Sequence, residues 1–429
     1  MQMPGISVFG AQWGDEGKGR FVDYLANDAE VVVRYQGGNN AGHTIIVDDV
    51  QYTLHLIPAG SLYDGKLCVI GNGVVVDPGA LIEEMEMLQK QGLTLENLKV
   101  SDRAHMVMPY HKLLDGLAED GAGDAQIGTT KRGIGPCYTD KAARIGLRMC
   151  DLLSDNFSEK LRTVLDQKNE ILTKIYGQNA LCFDTILKEF LGYRKQLAPY
   201  ICDTVSLCHS LQAKNSKMLF EGAQGMLLDI DFGTYPFVTS SHPISGGVSV
   251  GTGLPPAAVT EVVGVVKSYT TRVGKGPFVT ELLDEMGDKI REKGHEYGAT
   301  TGRPRRCGWL DLVIVGFSVR VSGITSIALS RMDTLGGFDK VKVCTAYEID
   351  GKVTNDYPAS LEDIAKAKPI YREFEGWSSD LSHIRSYDEL PKAAKEYIEF
   401  IESETGTPVG MIGVGPERSE CIVRQKYFV

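Results

Sequence analysis

The stretch FGAQWGDEGKGRF, residues 9–21, sets four glycines, two acids and a lysine directly after the apolar run ISVFG. The amides of Gly14, Gly17 and Gly19 can cradle anionic oxygens, because no side chain screens them. Lys18 can add positive charge at a β- or γ-phosphate. The pattern is not G-x-x-x-x-G-K-[ST]: Gln12 stands where its first glycine belongs, and Gly19 follows the lysine. Asp15, with Glu16 beside it, adds what an ordinary phosphate loop lacks. It can hold Mg²⁺, which takes hard oxygen ligands together with substrate phosphates, or it can accept a proton from a nucleophile.

Other segments repeat this combination of bare backbone and a few chemical groups. QGGNNAGHT (36–44) bares its main chain and presents His43, which can stabilise an oxygen that gains charge in a transition state. The carbonyl of Gly42 is available to a metal. GTTKRGIGPCYTDKAAR (128–144) offers Thr hydroxyls and free amides suited to a monoester phosphate, with Arg144 at its end. EGAQG (221–225) carries Gln224, which can read an amide-like base edge, and FVTSSHP (237–243) carries Thr239, a phosphate donor. GATTGRPRRCGWLD (298–311) crowds Arg303, Arg305 and Arg306 behind a Thr-Thr-Gly turn. Such guanidinium forks fit carboxylates and phosphates. In SRMD (330–333) the carboxylate of Asp333 can accept N1–H and N2–H₂ of guanine while Arg331 stacks on the base; GVGPER (413–418) adds backbone donors.

Taken together, and in this order, these motifs closely resemble the adenylosuccinate synthetase family, and the match runs along the whole chain. The resemblance implies GTP-dependent ligation of IMP and L-aspartate to adenylosuccinate through 6-phosphoryl-IMP, with Mg²⁺, as the step that commits IMP to AMP. It places Asp15, His43, Lys18 and Gln224 in the catalytic group, and Asp15 and the Gly42 carbonyl on the metal. GTP is implied to contact Gly14, Asp15, Glu16, Gly17, Lys18, Gly19 and Arg20. It also implies GTP contacts at Gly42, His43, Thr44, Arg305, Arg331, Met332, Asp333, Gly413, Val414 and Gly415. IMP is implied at Asn40, Ala41, Thr130, Gln224, Thr239 and Arg303. The loop Ala299, Thr300, Thr301, Gly302, Arg303, Pro304 and Arg305 is implied to hold the aspartate. Arg144 matches an arginine that reaches the neighbouring subunit's IMP phosphate, which implies a homodimer. Arg331 stands where lysine is common in the family, and Pro304 interrupts the arginine run.

These groups need a rigid frame. The chain has 429 residues, of which 48 are glycine, above the usual share of about 7%. Its formal net charge of −11 argues against a nucleic-acid binder. No apolar run is long enough to span a membrane. Nine cysteines without a CxxC pair fit buried thiols in a reducing cytoplasm.

Strands are predicted at ISVFG (6–10), EVVVRY (30–35), KLCVIGNG (66–73), KMLFEG (217–222), TSIALSRMD (325–333) and PVGMIGVGPER (408–418), and as one continuous run at EVVGVVKSYTTRVG (261–274). TIIV (44–47) and YTLHLI (52–57) predict a hairpin around Asp48-Asp49. A helix is predicted after Asp77 as N-cap and Pro78 as N1, ending at Gly92. LDEMGDKIREKG and LPKAAKEYIEFIESETG (390–406) are also helical. Leu161, Val164, Leu165, Leu172 and Ile175 predict one packed face in a mainly helical insertion around 151–200. The expected architecture is one α/β catalytic domain over 1–429: a large, mostly parallel central sheet flanked by helices, with helical and loop insertions.

Overall fold

The computed structural model describes residues 5–47, 50–123, 126–298, 302–377 and 380–428. A ten-stranded sheet runs through it. In spatial order its strands are Cys421–Val423, Val409–Gly413, Ser326–Ser330, Glu261–Lys267, Gly5–Gly10, Met218–Gly225, Val31–Arg34, Leu67–Ile70, Leu98–Ser101 and Ile201–Cys202. Every pairing is parallel except the edge strand Cys421–Val423, which runs antiparallel to Val409–Gly413. The central strands are buried on both faces, as a parallel sheet covered by helices requires. Ile6, Val8 and Val32 pack with helix residues Phe21, Val22 and Leu25 on one side; Phe9, Val266 and Leu329 pack with Ile314 and Ile398 on the other.

Gly5–Gly10 lies near the middle of the sheet, so the loop at its C-terminal end opens where ligands collect in such folds. That end also receives the loops after Val31–Arg34, Met218–Gly225, Ser326–Ser330 and Val409–Gly413.

Most predicted elements are present. Helix Pro78–Lys90 starts where Asp77 accepts from the Ala80 amide, and Gly92 follows in a left-handed turn, φ 87°. His43–Val47 and Val50–Leu54 form the antiparallel hairpin, shorter at its second strand than predicted; its turn, Asp48 and Asp49, lies outside the described residues. Helices Met149–Leu153, Phe157–Lys174 and Phe183–Leu197 occupy the predicted helical region.

Two expectations are corrected. EVVGVVKSYTTRVG is not one strand. Glu261–Lys267 stays in the large sheet, and Thr270–Arg272 pairs antiparallel with Arg306–Gly308. At the break, the Ser268 amide donates to Ser330 O, its hydroxyl to Arg331 O, and its carbonyl accepts from Tyr397. The end of strand Ser326–Ser330 and a helix side chain thus take over the Ser268 backbone groups. Ile175 is not on the packed face either. It lies just past the helix end and is 72% exposed, whereas Leu161, Leu165 and Leu172 are fully buried.

Candidate active site

The loop after Gly5–Gly10 turns sharply. Gly14, Asp15 and Gly17 all have left-handed backbones, with φ of 87°, 58° and 81°. Its two acids take opposite roles. Glu16 is fully buried and its carboxylate accepts from the Gln12 amide (3.1 Å), the Gly14 amide (2.8 Å) and Lys18 Nζ (2.7 Å). A Cβ on Gly10 would lie 2.1 Å from Glu16 Oε2, so only glycine leaves room for that carboxylate. The Glu16 side chain therefore shapes the loop from inside, which leaves its backbone for any contact with a ligand. Lys18 is likewise buried against Glu16. Asp15 remains at the mouth, its carboxylate 38% exposed. Helix Lys18–Ala26 begins directly behind, so its positive N-terminal end faces the loop.

The other motifs converge on this loop. A Cβ on Gly19 would meet Thr44 O at 3.1 Å and the His43 Cβ at 3.5 Å, which brings the NNAGHT segment against the helix start. A Cβ on Gly225 would strike the Gly14 nitrogen at 2.4 Å, which brings EGAQG against the same loop. Ser330 Oγ donates to Glu16 O at 2.6 Å and fixes the end of Ser326–Ser330. A cleft there is lined by Gly17, Arg20, Thr44, Ser330, Arg331 and Gly415.

His43 is buried. Its Nδ1 lies 2.6 Å from Glu221 Oε1, and its Nε2 has no hydrogen-bond partner among the described residues. Glu221 also accepts from Arg34 (3.3 Å) and the Ala59 amide (2.9 Å). Burial works against ionising Glu221, yet the His43 hydrogen bond, His43 and Arg34 hold it below its ordinary range. The carboxylate therefore accepts, Nδ1 carries the hydrogen, and Nε2 is the ring atom left for chemistry. Burial lowers the His43 pKa, Glu221 opposes this, and Arg34 and Lys18 add to it. The buried ring is therefore harder to protonate than a free imidazole.

Gln224 has a left-handed backbone, φ 55°. Its Nε2 donates to Asn40 Oδ1 at 3.1 Å, while its Oε1 is buried without a hydrogen-bond partner among the described residues. Ala41 is buried and its carbonyl lies 2.6 Å from His55 Nδ1; Gly42 is exposed. Thr239 is half-buried, with its amide on Leu228 O. Thr130 is exposed. Arg144, also exposed, caps helix Ile134–Ala143 with φ 65°. A Cβ on Gly135 would lie 3.4 Å from Ser240 Oγ, so that helix approaches the Thr239 segment.

Arg331 is left-handed, φ 63°, and Asp333 Oδ1 is buried with no hydrogen-bond partner among the described residues. Met332 is wholly in the core and contributes its backbone, whose amide donates to Gly413 O. Gly413 lets Arg20 pack closely: a Cβ there would sit 1.5 Å from the Arg20 guanidinium, which would have to move. Val414 is buried, with its amide on Glu420 O.

Residues 296–298 pair with residues 302–305. The Arg305 amide donates to Glu296 O and the Gly298 amide to Arg303 O; Tyr297 and Pro304 form an antiparallel bridge. Ala299, Thr300 and Thr301 lie outside the described residues. Gly302 and Arg303 are exposed beside them. Arg305 Nε is 2.9 Å from Asp15 Oδ2, so the hairpin reaches the phosphate loop.

Residues 7–422 match the family model described as adenylosuccinate synthetase. The chain belongs to the adenylosuccinate synthetase family. It is 57% identical to the adenylosuccinate synthetase of Caldanaerobacter subterraneus subsp. tengcongensis, over 98% of this chain and 99% of that one. It is 54% identical to the one from Clostridioides difficile, over 99% and 100%. Among solved structures, the fully ligated adenylosuccinate synthetase of Plasmodium falciparum superposes with a TM-score of 0.93 at 42% identity, covering 98% of this chain and 99% of that one. The reaction is the GTP-dependent joining of IMP and L-aspartate to adenylosuccinate, a carbon–nitrogen ligation of purine biosynthesis. No described helix is long and apolar enough to cross a membrane.

Three residues now seen in or behind the site escaped the motif reading: Glu221, Arg34 and Glu296. Glu221 had a signal. It is a lone acid in the apolar run KMLFEG, and a charge inside a buried strand needs a partner.

Proposed function

We propose that this ligation is run by Asp15 as base, with His43 and the phosphate loop stabilising the charge that moves. Asp15 removes the N1 proton of IMP, and negative charge collects on O6. O6 attacks the γ-phosphorus of GTP, the bond to the β-phosphate oxygen breaks, and GDP leaves. The amine of L-aspartate then attacks C6 of 6-phosphoryl-IMP. The C6–O bond breaks, phosphate departs, and the amine gives up one proton. Positioned acid–base groups contribute about 10²–10⁴-fold each.

The observation that carries this reading is the division between two neighbouring acids. Glu16 is consumed by its own loop, and Asp15 alone is left at the mouth. Anionic O6 and γ-phosphate beside Nε2 of His43 would favour the protonated ring, so the proton that burial disfavours is expected to accompany the substrates.

Asp15 and the Gly42 carbonyl are hard oxygen donors on exposed residues, a donor set that suits Mg²⁺. The ion would supply charge neutralisation on the GTP phosphates. The unpartnered Asp333 oxygen suits the N1–H and N2–H₂ of guanine, with Arg331 over the ring. Asn40, Gln224, Thr239 and Thr130 are assigned to IMP, Arg303 and Arg305 to the aspartate carboxylates. The reading extends to one catalytic unit over the chain, working in the cytoplasm as a homodimer in which Arg144 serves the partner's IMP phosphate.

Phosphate release from GTP tests the assignment, with IMP and aspartate each omitted in turn, in the parent and in Asp15→Asn. The parent should need both. An Asp15→Asn protein that still released phosphate at the parent's rate would remove the base from this residue.

A further inference from the structure

Behind Arg305 lies a buried charge cluster that the motifs do not include. Glu296 is fully buried. Its Oε1 accepts from Lys267 Nζ at 2.7 Å and from Tyr269 OH at 2.5 Å; its Oε2 accepts from Arg305 Nη1 at 2.7 Å. Lys267, also buried, donates to Thr271 Oγ1 at 2.8 Å as well. Lys267 ends a central strand of the large sheet, so the cluster is anchored to that sheet. Glu296 and Arg305 are also paired through their backbones at the base of the hairpin whose tip carries Gly302 and Arg303.

We propose that Glu296 is a positioning residue for the ligation: its carboxylate grips one arm of the Arg305 guanidinium and thereby aims the remaining edge at Asp15 and at the aspartate substrate. Arg305 ends in a planar fork on a long flexible stem, and without a fixed partner that fork samples many rotamers. Glu296 holds Nη1 from the buried side, and Nε lies 2.9 Å from Asp15 Oδ2 as an ion pair without a hydrogen bond. Lys267 and Tyr269 in turn occupy the other Glu296 oxygen, so the carboxylate cannot swing. The order of dependence is sheet, Lys267, Glu296, Arg305, substrate. Glu296 itself touches no reacting atom. Losing it should therefore loosen the grip on L-aspartate while leaving the IMP and guanine contacts in place. The inference rests on the assignment of Arg305 to the aspartate carboxylates.

The test measures KM for each substrate in Glu296→Gln, in the double variant Glu296→Gln with Lys267→Met, and in Arg305→Leu. The double variant covers the case in which an uncompensated buried ammonium prevents folding, since it removes both charges together. Misplacing a positioning group can cost up to about 10²-fold. Accordingly, KM for L-aspartate should rise about tenfold or more in whichever Glu296 variant folds, with KM for IMP and GTP moving less than about threefold. Glu296→Asp should recover part of the loss. A merely structural role would lower thermal stability, or kcat, without singling out aspartate, and that result would overturn the proposal. If Arg305→Leu raises the aspartate KM and the Glu296 variants do not, the positioning role fails and the assignment of Arg305 stands. If Arg305→Leu also leaves it unchanged, both fall.

Discussion

Glu221 Oε1 lies 2.6 Å from Nδ1 of His43, and both side chains are buried. This one contact fixes the histidine tautomer, because an ionised carboxylate can only accept. It leaves Nε2 as the atom that can meet a substrate oxygen, the arrangement by which an acid orients a catalytic imidazole in other enzymes.

Glu221→Gln should therefore slow turnover by about 10²-fold or more, since the amide can favour the wrong tautomer. The strand Met218–Gly225 is central, and Arg34 loses a charged partner too, so some stability is lost as well. Steady-state kinetics at saturating substrates separates the effects: kcat should fall in protein that is still folded by circular dichroism. A Glu221→Gln enzyme with parental kcat would show that the tautomer is set elsewhere.

For Asp15→Asn we expect IMP binding to persist while kcat drops by about 10²–10⁴-fold. The substitution keeps the left-handed turn accessible, because asparagine tolerates that conformation. It also leaves Glu16, which holds the loop through the Gln12 and Gly14 amides. Calorimetric titration with IMP beside a turnover assay checks this; a parallel loss of binding would mean that the residue shapes the loop instead.

Asp333→Asn should erode the preference for GTP over ITP. Its buried Oδ1 has no partner among the described residues, and guanine offers two donors where hypoxanthine offers one. A buried acceptor left unmatched costs about 1–3 kcal/mol, so the preference should shrink by roughly tenfold or more. Initial rates with both nucleotides decide it, and an unchanged ratio would put the base-reading group elsewhere.

Arg144 lies exposed at a helix end, as an arginine serving a neighbouring subunit would. Mixing an inactive Arg144→Leu protein with inactive Asp15→Asn should restore part of the activity, because a mixed dimer would contain one intact site. Absence of rescue, with mixed dimers demonstrated, would confine each site to one chain.

The sequence disclosed this site unevenly, for identifiable reasons. Asp77, Pro78 and Gly92 mark their helix because caps and stops act over a few neighbouring residues. The glycine loops were legible for the same reason: Gly14, Asp15 and Gly17 adopt the backbone that such a run permits. The break at Ser268 was not legible, since Val and Thr continue on both sides and the cause is a contact with Ser330, far away in the chain. Glu296 was invisible as well. Nothing in KGHEYG signals burial, and its partners Lys267 and Arg305 are brought to it only by the completed sheet and hairpin. Glu16 shows the converse limit: its place in the loop was legible, but the inward turn of its carboxylate onto the Gln12 and Gly14 amides was not.

The acid response of the fold should show the signature of Asp311. This residue caps helix Leu312–Ser322, accepting from the Val313 and Ile314 amides, and takes a further hydrogen bond from Tyr347. It is fully buried, and burial raises its pKa from 3.8 to about 7 against those hydrogen bonds. The folded state therefore keeps a proton that the unfolded chain releases above pH 3.8, so this group makes stability fall as pH rises between 3.8 and about 7. Asp311→Asn retains an acceptor for the helix amides and cannot ionise. Relative to the parent, it should gain stability progressively from about pH 4 to pH 7, and the gain should then level off. Urea unfolding across that range measures the difference. A constant offset between the two proteins would mean that Asp311 is ionised in the native state throughout, held so by the two amides and the tyrosine.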